Sequence, residues 1–411
     1  MIRLVFAKKC ILPSEAANVL QSLHMAAALW RAGAETLFSP GVKGADAAAR
    51  VATLYAALAD IGITPHPEIV KTWTPLPGNH AGLYGLRFRA ALAASWFTGS
   101  NTVFYARDVK EAVFATRLSS FLGKRRLVFE MHEALHEQPH NLKQQNRLFL
   151  LEQRVMAGID GLVTINPILA DKARTLFGYK GPILVEPSGV NADVFKPLPL
   201  FTAESPWPKA GDVLRLVYCG RFHPGKGVEN LVAAMEYLPE TVHLRVIGGF
   251  PAARFAALRE IAAGFPCEVR DRIMFTGALP QKEVPLACAG GHIFVIPQEN
   301  CASYFSPLKL QEAMSMGLPI LTTPVAEFEA ERKKGLLAST PGTSPREIAE
   351  GVLALAADPG RAARLRENGL SASRERTWKA RAGRILAFCR TLNADSGGPP
   401  QASKVEDSQT F

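Results

Sequence analysis

YFSPLKLQEAMSMGLPILTT, residues 304–323, reads in order as a turn, a short helix, a Gly-Leu-Pro break and a buried apolar strand. Ser306 can cap the helix, and Pro307 suits its first turn, where a missing amide hydrogen costs nothing. The open amides of Leu308 and Lys309 then face an anion. Glu312 follows Ser306 by six residues, about 9 Å along a helix rising about 1.5 Å per residue, close to the separation of a nucleotide's diphosphate from its ribose hydroxyls. Lys309 shares the face of Glu312 at i, i+3. An ordinary amphipathic helix with a capping serine would read the same locally, so a second segment has to decide.

Residues 214–235, LRLVYCGRFHPGKGVENLVAAM, supply it: an apolar strand, a basic glycine loop and an apolar-periodic helix. Gly220, Gly225 and Gly227 let backbone approach a ligand closely. Arg221, at the strand's carboxyl end, and Lys226, near the helix start, offer two cations to a diphosphate.

Working outward, strands are expected near residues 3–6, 102–105, 127–129, 162–164 and 183–185, and again near 216–219, 244–247, 273–275, 294–296 and 320–322, with helices between them such as 19–31. This alternation predicts two parallel α/β domains. The proline-rich stretch KPLPLFTAESPWPK, residues 196–209, separates residues 1–195 from 210–375. Helices are expected over 344–358, with Ser344 as cap, and over 361–392; residues 394–411 lack an apolar pattern and read as a disordered tail.

The chain has 411 residues, 48% hydrophobic and 20% charged, which suits two or three globular domains. Its six cysteines show no CxxC pair or regular framework, so free thiols in a reducing compartment are expected. No run approaches the roughly 20 apolar residues of a membrane span, and lysines interrupt the first apolar run before it resembles a signal sequence. A cytoplasmic protein is expected. The net charge is +10, and residues 1–200 carry 22 Lys and Arg against 15 Asp and Glu. That excess suits an anionic lipid-linked acceptor or peripheral contact with an anionic membrane surface, with Arg87, Arg89, Lys124, Arg125 and Arg126 as contacts; solubility alone explains it equally. No aromatic-basic interleaving or nucleic-acid-binding module is present, so nucleic acid is not an expected partner.

The order GRFHPGKG, then SPLKLQEAMSMGLPILTT some eighty residues later, resembles the carboxyl-terminal domain of GT-B glycosyltransferases, specifically glycosyltransferase family 4. LRVIGG (244–249), IMFTGALP (273–280), HIFVIPQ (292–298), YARD (105–108), FEMHE (129–133) and PSGVNADVF (187–195) also resemble family segments. The resemblance implies two Rossmann-like domains facing a cleft, with a last helix, 376–393, crossing back to the first domain and anchored by Trp378. It also implies a retaining, metal-independent transfer of sugar from a nucleotide diphosphate, of UDP or GDP type, to a glycan or lipid-linked acceptor, in polysaccharide or glycoconjugate synthesis.

In that picture Arg221, Lys226 and the turn at 306–309 stabilise the leaving group, Glu312 binds ribose, the backbone around Gly277 and Leu279 holds the base, and His132 contacts the donor sugar. Two positions depart from the family pattern. Tyr304 stands where many members carry a first glutamate, as in the branch whose motif reads SPLK, and PSEAAN, residues 13–18, replaces a glycine-rich first loop, leaving Asn18 as the acceptor-side candidate.

Four other readings compete. Residues 132–136 satisfy HExxH, with Glu152 as a conceivable third zinc ligand, but a strand ends just before His132 and Pro139 follows too soon for a zincin helix. Residues 220–226 fit GxxxxGK, yet Gly227 stands where a P-loop needs a hydroxyl for Mg²⁺. A non-catalytic nucleotide-sugar module, or an epimerase on the same fold, would keep the pocket without an acceptor.

Overall fold

A computed structural model describes residues 2–14, 16–98, 101–138, 141–197, 207–209, 211–299 and 308–394. Tyr304, Ser306 and Pro307, most of the 196–209 stretch and the expected tail beyond Ala394 lie outside the described residues.

The first half forms a six-stranded sheet in the order Glu35–Leu37, Arg3–Ala7, Thr102–Ala106, Arg126–Met131, Gly161–Thr164, Ile183–Val185, all parallel. The second half repeats the design: Ile273–Gly277, Val242–Ile247, Leu214–Cys219, Ile293–Ile296, Ile320–Thr322, Ala338–Ser339, again all parallel. Parallel strands are joined by helices that cover both faces, so central strands such as RLVFEM and IFVI are buried almost throughout. In each sheet the chain winds first to one side of its opening strand and then returns to the other. The reversals fall between Arg3–Ala7 and Thr102–Ala106, and between Leu214–Cys219 and Ile293–Ile296. Crevices at the carboxyl ends of strands at such reversals are where open α/β sheets take ligands.

Three two-residue strands, Ile11–Leu12, Gly41–Val42 and Leu76–Pro77, form a small sheet beside the first, and Glu35–Leu37 and Ala338–Ser339 add edge strands that the sequence reading did not include.

The C-terminal helices show one correction. The helical stretch expected over 361–392 is two helices, Pro359–Glu375 and Trp378–Ala394, the second lying where the crossing helix, 376–393, was implied. The break comes where Thr377 bridges to Val190 and its Oγ1 accepts the Ala380 amide at 3.1 Å, starting a new helix. The preceding helix, Pro345–Ala356, begins at the Ser344 cap with a reciprocal Glu347 box. Trp378–Ala394 packs on Ala17–Arg31 of the first half, placing Trp378, Ala382, Ile385, Leu386 and Cys389 in one core with Leu23, Leu29, Val128 and Val163. Burial of each large apolar side chain contributes roughly 1.5–3 kcal/mol, so this face alone ties the helix Trp378–Ala394 to the first domain. The fold is GT-B: two Rossmann-like parallel α/β domains with a C-terminal helix on the first.

Candidate functional site

Three glycines floor the second domain's crevice. Gly220, Gly248 and Gly277 end three adjacent strands with φ of +146°, +146° and +78°. The Gly220 amide donates to Ile247 O, and the Gly248 amide to Gly277 O. A Cβ on Gly248 would stand 2.1 Å from Gly220 O, so these turns nest only without side chains. Gly227, φ +64°, begins the helix Val228–Ala234, and a Cβ there would meet Pro297 O at 1.7 Å.

Charge converges on this floor. Arg221 lies with its guanidinium carbon 4.2 Å over the Phe250 ring. The Lys226 ammonium donates to Gln298 Oε1 at 3.3 Å, and Gln298 donates in turn to Gly225 O at 2.7 Å, bracing the loop. Lys309, near the start of Leu308–Met316, reaches back over Gly220, where its Nζ donates to the Tyr218 hydroxyl at 3.0 Å and sits 4.2 Å from that ring. Burial, reinforced by the nearby Lys226 charge, lowers the Lys309 pKa to about 7. Glu312, one turn on, has its pKa raised to about 7 by burial, although the Gln281 hydrogen bond and Lys309 oppose this. Lys309 and Glu312 thus hold charge at a cost that an anion and a pair of sugar hydroxyls would relieve.

The cleft is bridged from Glu312. Gln281 Nε2 donates to Glu312 Oε1 at 2.9 Å, and Gln281 Oε1 lies 3.3 Å from His24 Nε2 on the first domain. His24 is stacked 5.5 Å from Trp378, and burial holds its pKa down at about 4, so it is neutral at pH 7. One turn earlier on the same helix, Gln21 accepts from Arg107 at 3.2 Å. Arg107 also donates to Ser22 Oγ at 2.8 Å and meets His132 Nε2 at 2.7 Å. The first-domain and second-domain residues therefore join through the helix Ala17–Arg31.

Behind His132 lies a buried carboxylate hub. Glu130 Oε1 is 2.6 Å from His132 Nε2, 2.8 Å from Arg381 Nη2 and 3.5 Å from Arg107 Nε, while the Tyr105 hydroxyl donates to Oε2. Burial alone would raise the Glu130 pKa, but Arg107 and Arg381 outweigh it and hold the carboxyl well below its usual range. His132 is pushed to about 4 by burial and then by Arg107, so it too is neutral at pH 7. Arg381 also donates to Pro187 O at 2.9 Å, tying the crossing helix to this hub.

Of the sequence candidates, Arg221, Lys226, Lys309, Glu312 and Gly277 meet on one floor. Leu279 is half-buried beside it, packed against the core cluster that includes Ile296 and Leu310. His132 stands across the cleft, Asn18 is exposed in the first turn of Ala17–Arg31, and Leu308 opens the helix that carries Lys309. Tyr218, Gln281, Arg107, Glu130 and Arg381 were not among the site residues expected. A lone carboxylate in the apolar run RLVFEM was the available signal for Glu130.

The HExxH residues do not form a helix: the strand ends at Met131 and a 3-10 turn spans Leu135–Glu137. His136 Nδ1 pairs with Glu152 at 2.6 Å, and Glu152 also accepts the Leu135 amide at 2.8 Å, so the two histidines serve different carboxylates. Among the described residues no group of three or more His, Cys, Asp or Glu is placed to hold a metal. A separate cavity of 1330 Å³ lies between Asn166 and Pro187 of the first domain and Thr323, Glu327 and Arg376 of the second, and none of Arg221, Lys226, Lys309 or Glu312 lines it.

Residues 214–358 match the family described as "Glycosyl transferases group 1". The chain is 30% identical over 247 residues to D-inositol 3-phosphate glycosyltransferase of Xylanimonas cellulosilytica, which covers 57% of this chain and 58% of that protein. It is 26% identical over 378 residues to the GDP-mannose-dependent alpha-(1-6)-phosphatidylinositol monomannoside mannosyltransferase of Mycobacterium tuberculosis, covering 88% and 90%. The fold superposes on sucrose-phosphate synthase of Thermosynechococcus elongatus with TM-score 0.71 at 18% identity, over 96% and 100% of the two chains. It also superposes on Anabaena HepE in complex with UDP, with TM-score 0.68 at 17% identity over 96% and 100%.

Proposed function

We propose that the chain is a retaining, metal-independent glycosyltransferase that moves a sugar from a UDP or GDP sugar to a glycan or lipid-linked acceptor at the cytoplasmic face of a membrane. One observation carries this reading: a glycine floor at the second sheet's reversal gathers Arg221, Lys226 and Lys309, with Glu312 one helical turn beyond Lys309. A UDP-bound fold neighbour and a GDP-mannose-dependent relative support the donor class, and the phosphatidylinositol monomannoside named for that relative supports a lipid-linked acceptor.

As the C1–O bond breaks, negative charge builds on the diphosphate. Arg221, Lys226 and the amides opening Leu308–Met316 stabilise it, more strongly in a cleft than in water. The Glu312 carboxylate accepts the ribose hydroxyls, the backbone at Gly277 and Leu279 meets the base, and neutral His132 offers a hydrogen bond to the donor sugar. Arg107 and Glu130 fix the His132 ring. The acceptor hydroxyl enters from the side of Asn18 and attacks the face the leaving group departs, its proton passing to the departing phosphate oxygen, which retains configuration.

Thermal stabilisation by UDP, GDP, ADP and their sugar conjugates, with and without EDTA, tests the site. A shift for one nucleotide that survives EDTA and is lost in Arg221→Ala and Glu312→Ala supports the reading. No shift with any nucleotide refutes it. Hydrolysis or transfer measured with the matched nucleotide sugar then separates a transferase from a non-catalytic module.

A further inference from the structure

Among the described residues, the helix Ala81–Ser95 is apolar on both sides. Its inward face buries Tyr84, Phe88 and Leu92, yet the outward stripe, at i, i+3 and i+4 spacing, is Leu83, Leu86, Arg87, Ala90 and Ala94, continuing to Phe97. Leu83 is 53% exposed, and Leu86 and Phe97 are each 70% exposed. The neighbouring helix Val109–Leu122 lies on the same side of the first sheet and presents Lys110, Arg117 and Phe121 outward at the same periodicity; Phe121 is 85% exposed. The two helices meet at their C-terminal ends, where Trp96 Nε1 donates to Gly123 O at 3.1 Å and Arg125 Nε to Trp96 O at 3.2 Å. That contact brings Phe97, Phe121 and Leu122 to one edge, beside Lys124 and Arg125.

The charges are one-sided. Residues 81–98 contain no Asp or Glu, and residues 109–125 contain one, Glu111, which is fully buried and paired with Arg89 at 3.2 Å and Lys9 at 2.8 Å. Arg87, Lys110, Arg117 and Arg125 therefore surround exposed Leu and Phe with no opposing surface carboxylate on either helix, and Lys124, 79% exposed, lies beside them 3.9 Å from Asp160. A soluble face has no use for this combination, because large exposed apolar patches are rare unless something covers them.

We infer that this two-helix face rests on an anionic lipid surface, the apolar side chains entering the headgroup boundary and the cations pairing with lipid phosphates. A second copy of the chain is disfavoured as the occupant, since a two-fold pairing of this face would oppose cation to cation. Nucleic acid would use the charge but leave Leu83, Leu86 and Leu122 without a role. Val109–Leu122 follows the strand Thr102–Ala106 and so starts at the carboxyl end of the sheet, where the cleft opens. The helix starts, with Leu83, Leu86 and Lys110, therefore lie toward the cleft rim, while the cluster of Phe97, Phe121 and Lys124 lies at the opposite, amino end of the sheet, so a bilayer along the whole face reaches the rim only at its Leu83 end. The inference deepens the peripheral-contact part of the function proposed above, but the binding itself does not depend on glycosyl transfer.

Co-sedimentation of the full chain with phosphatidylcholine vesicles, with and without phosphatidylglycerol, tests it, beside sedimentation velocity of the free protein. Binding is expected only with phosphatidylglycerol and should weaken as salt is added. Arg117→Glu with Lys124→Glu should weaken it by more than about tenfold, since each basic residue near such a surface counts for a factor of several. Phe97→Ser with Phe121→Ser should weaken it comparably and leave the salt dependence in place. All four positions are on the surface, and unchanged melting temperature and nucleotide stabilisation confirm that each variant is folded. The inference is overturned by absence of vesicle binding, by binding that both double variants retain, or by a dimer that either double variant dissolves. Nucleotide stabilisation is read separately, so failure here leaves the donor-site proposal standing, and the reverse.

Discussion

Binding of a nucleotide sugar should move protons in opposite directions on either side of pH 7. In the free protein Lys309 has a pKa of about 7, because burial and the Lys226 charge disfavour its ammonium form. A diphosphate beside it restores the proton. At pH 8 about 0.9 of Lys309 is neutral, so binding should take up close to one proton, and affinity should fall up to about tenfold per pH unit above 7. Glu312, also near 7 because of burial, behaves oppositely. It must be ionised to accept two ribose hydroxyls, so at pH 6, where about 0.9 of it is protonated, binding should release close to one proton while Lys309 contributes little. The sugar conjugate is the right ligand because its diphosphate has no proton to exchange in this range. Calorimetry in buffers of differing ionisation enthalpy reads the count directly. Lys309→Met should abolish the uptake at pH 8 and leave the release at pH 6; Glu312→Gln should do the reverse. Binding with no proton exchange at either pH, or exchange of the same sign at both, would refute the placement of diphosphate at Lys309 and ribose at Glu312.

Glu130→Gln removes the one carboxylate between two guanidiniums that are 1% and 4% exposed, and should cost about 3–5 kcal/mol, lowering the melting temperature by roughly 6–20 °C. The matched surface change Glu329→Gln, at a pair 50% and 41% exposed, should stay within about 1 kcal/mol, and equal losses in the two variants would contradict the buried hub. Gly227→Ala should destabilise by at least about 1 kcal/mol and abolish nucleotide stabilisation, because φ is +64° and the new Cβ meets Pro297 O; wild-type binding in this variant would show that the loop does not shape the site. His24 and His132, both near 4 when folded and 6.5 ordinarily, bind more protons unfolded, so stability should rise with pH between about 4 and 6.5 and each should contribute up to about 1.4 kcal/mol per pH unit there. Denaturant titrations of His24→Gln across that window should show a shallower slope; an unchanged slope would mean that His24 is not held neutral.

What could be read from the sequence follows from how local each feature is. Strands such as LVYC within LRLVYC and IFVI announce themselves because a parallel strand covered on both faces needs a nearly unbroken apolar run, and a glycine or charge at its carboxyl end marks the crevice. The strands missed, such as Ile11–Leu12 and Leu76–Pro77, are two residues long and have no period to detect. The second-domain site was legible for the same reason: Arg221 and Lys226 sit in one loop, and Lys309 and Glu312 one turn apart on one helix. The first-domain half was not. Gln281 meets His24 across 257 positions and Arg381 meets Glu130 across 251, and no windowed pattern spans such distances. Those long-range bonds also explain why the crossing helix belongs to the site as well as to the fold. Arg381 neutralises the carboxylate that positions His132, and Trp378 stacks on the histidine that holds Gln281 over Glu312. A shift of the helix Trp378–Ala394 relative to Ala17–Arg31 would therefore alter both walls of the cleft together. The helix Trp378–Ala394 thus sets the geometry in which Glu312 of the proposed donor site, through Gln281 and His24, is held relative to Glu130 and His132 of the first domain.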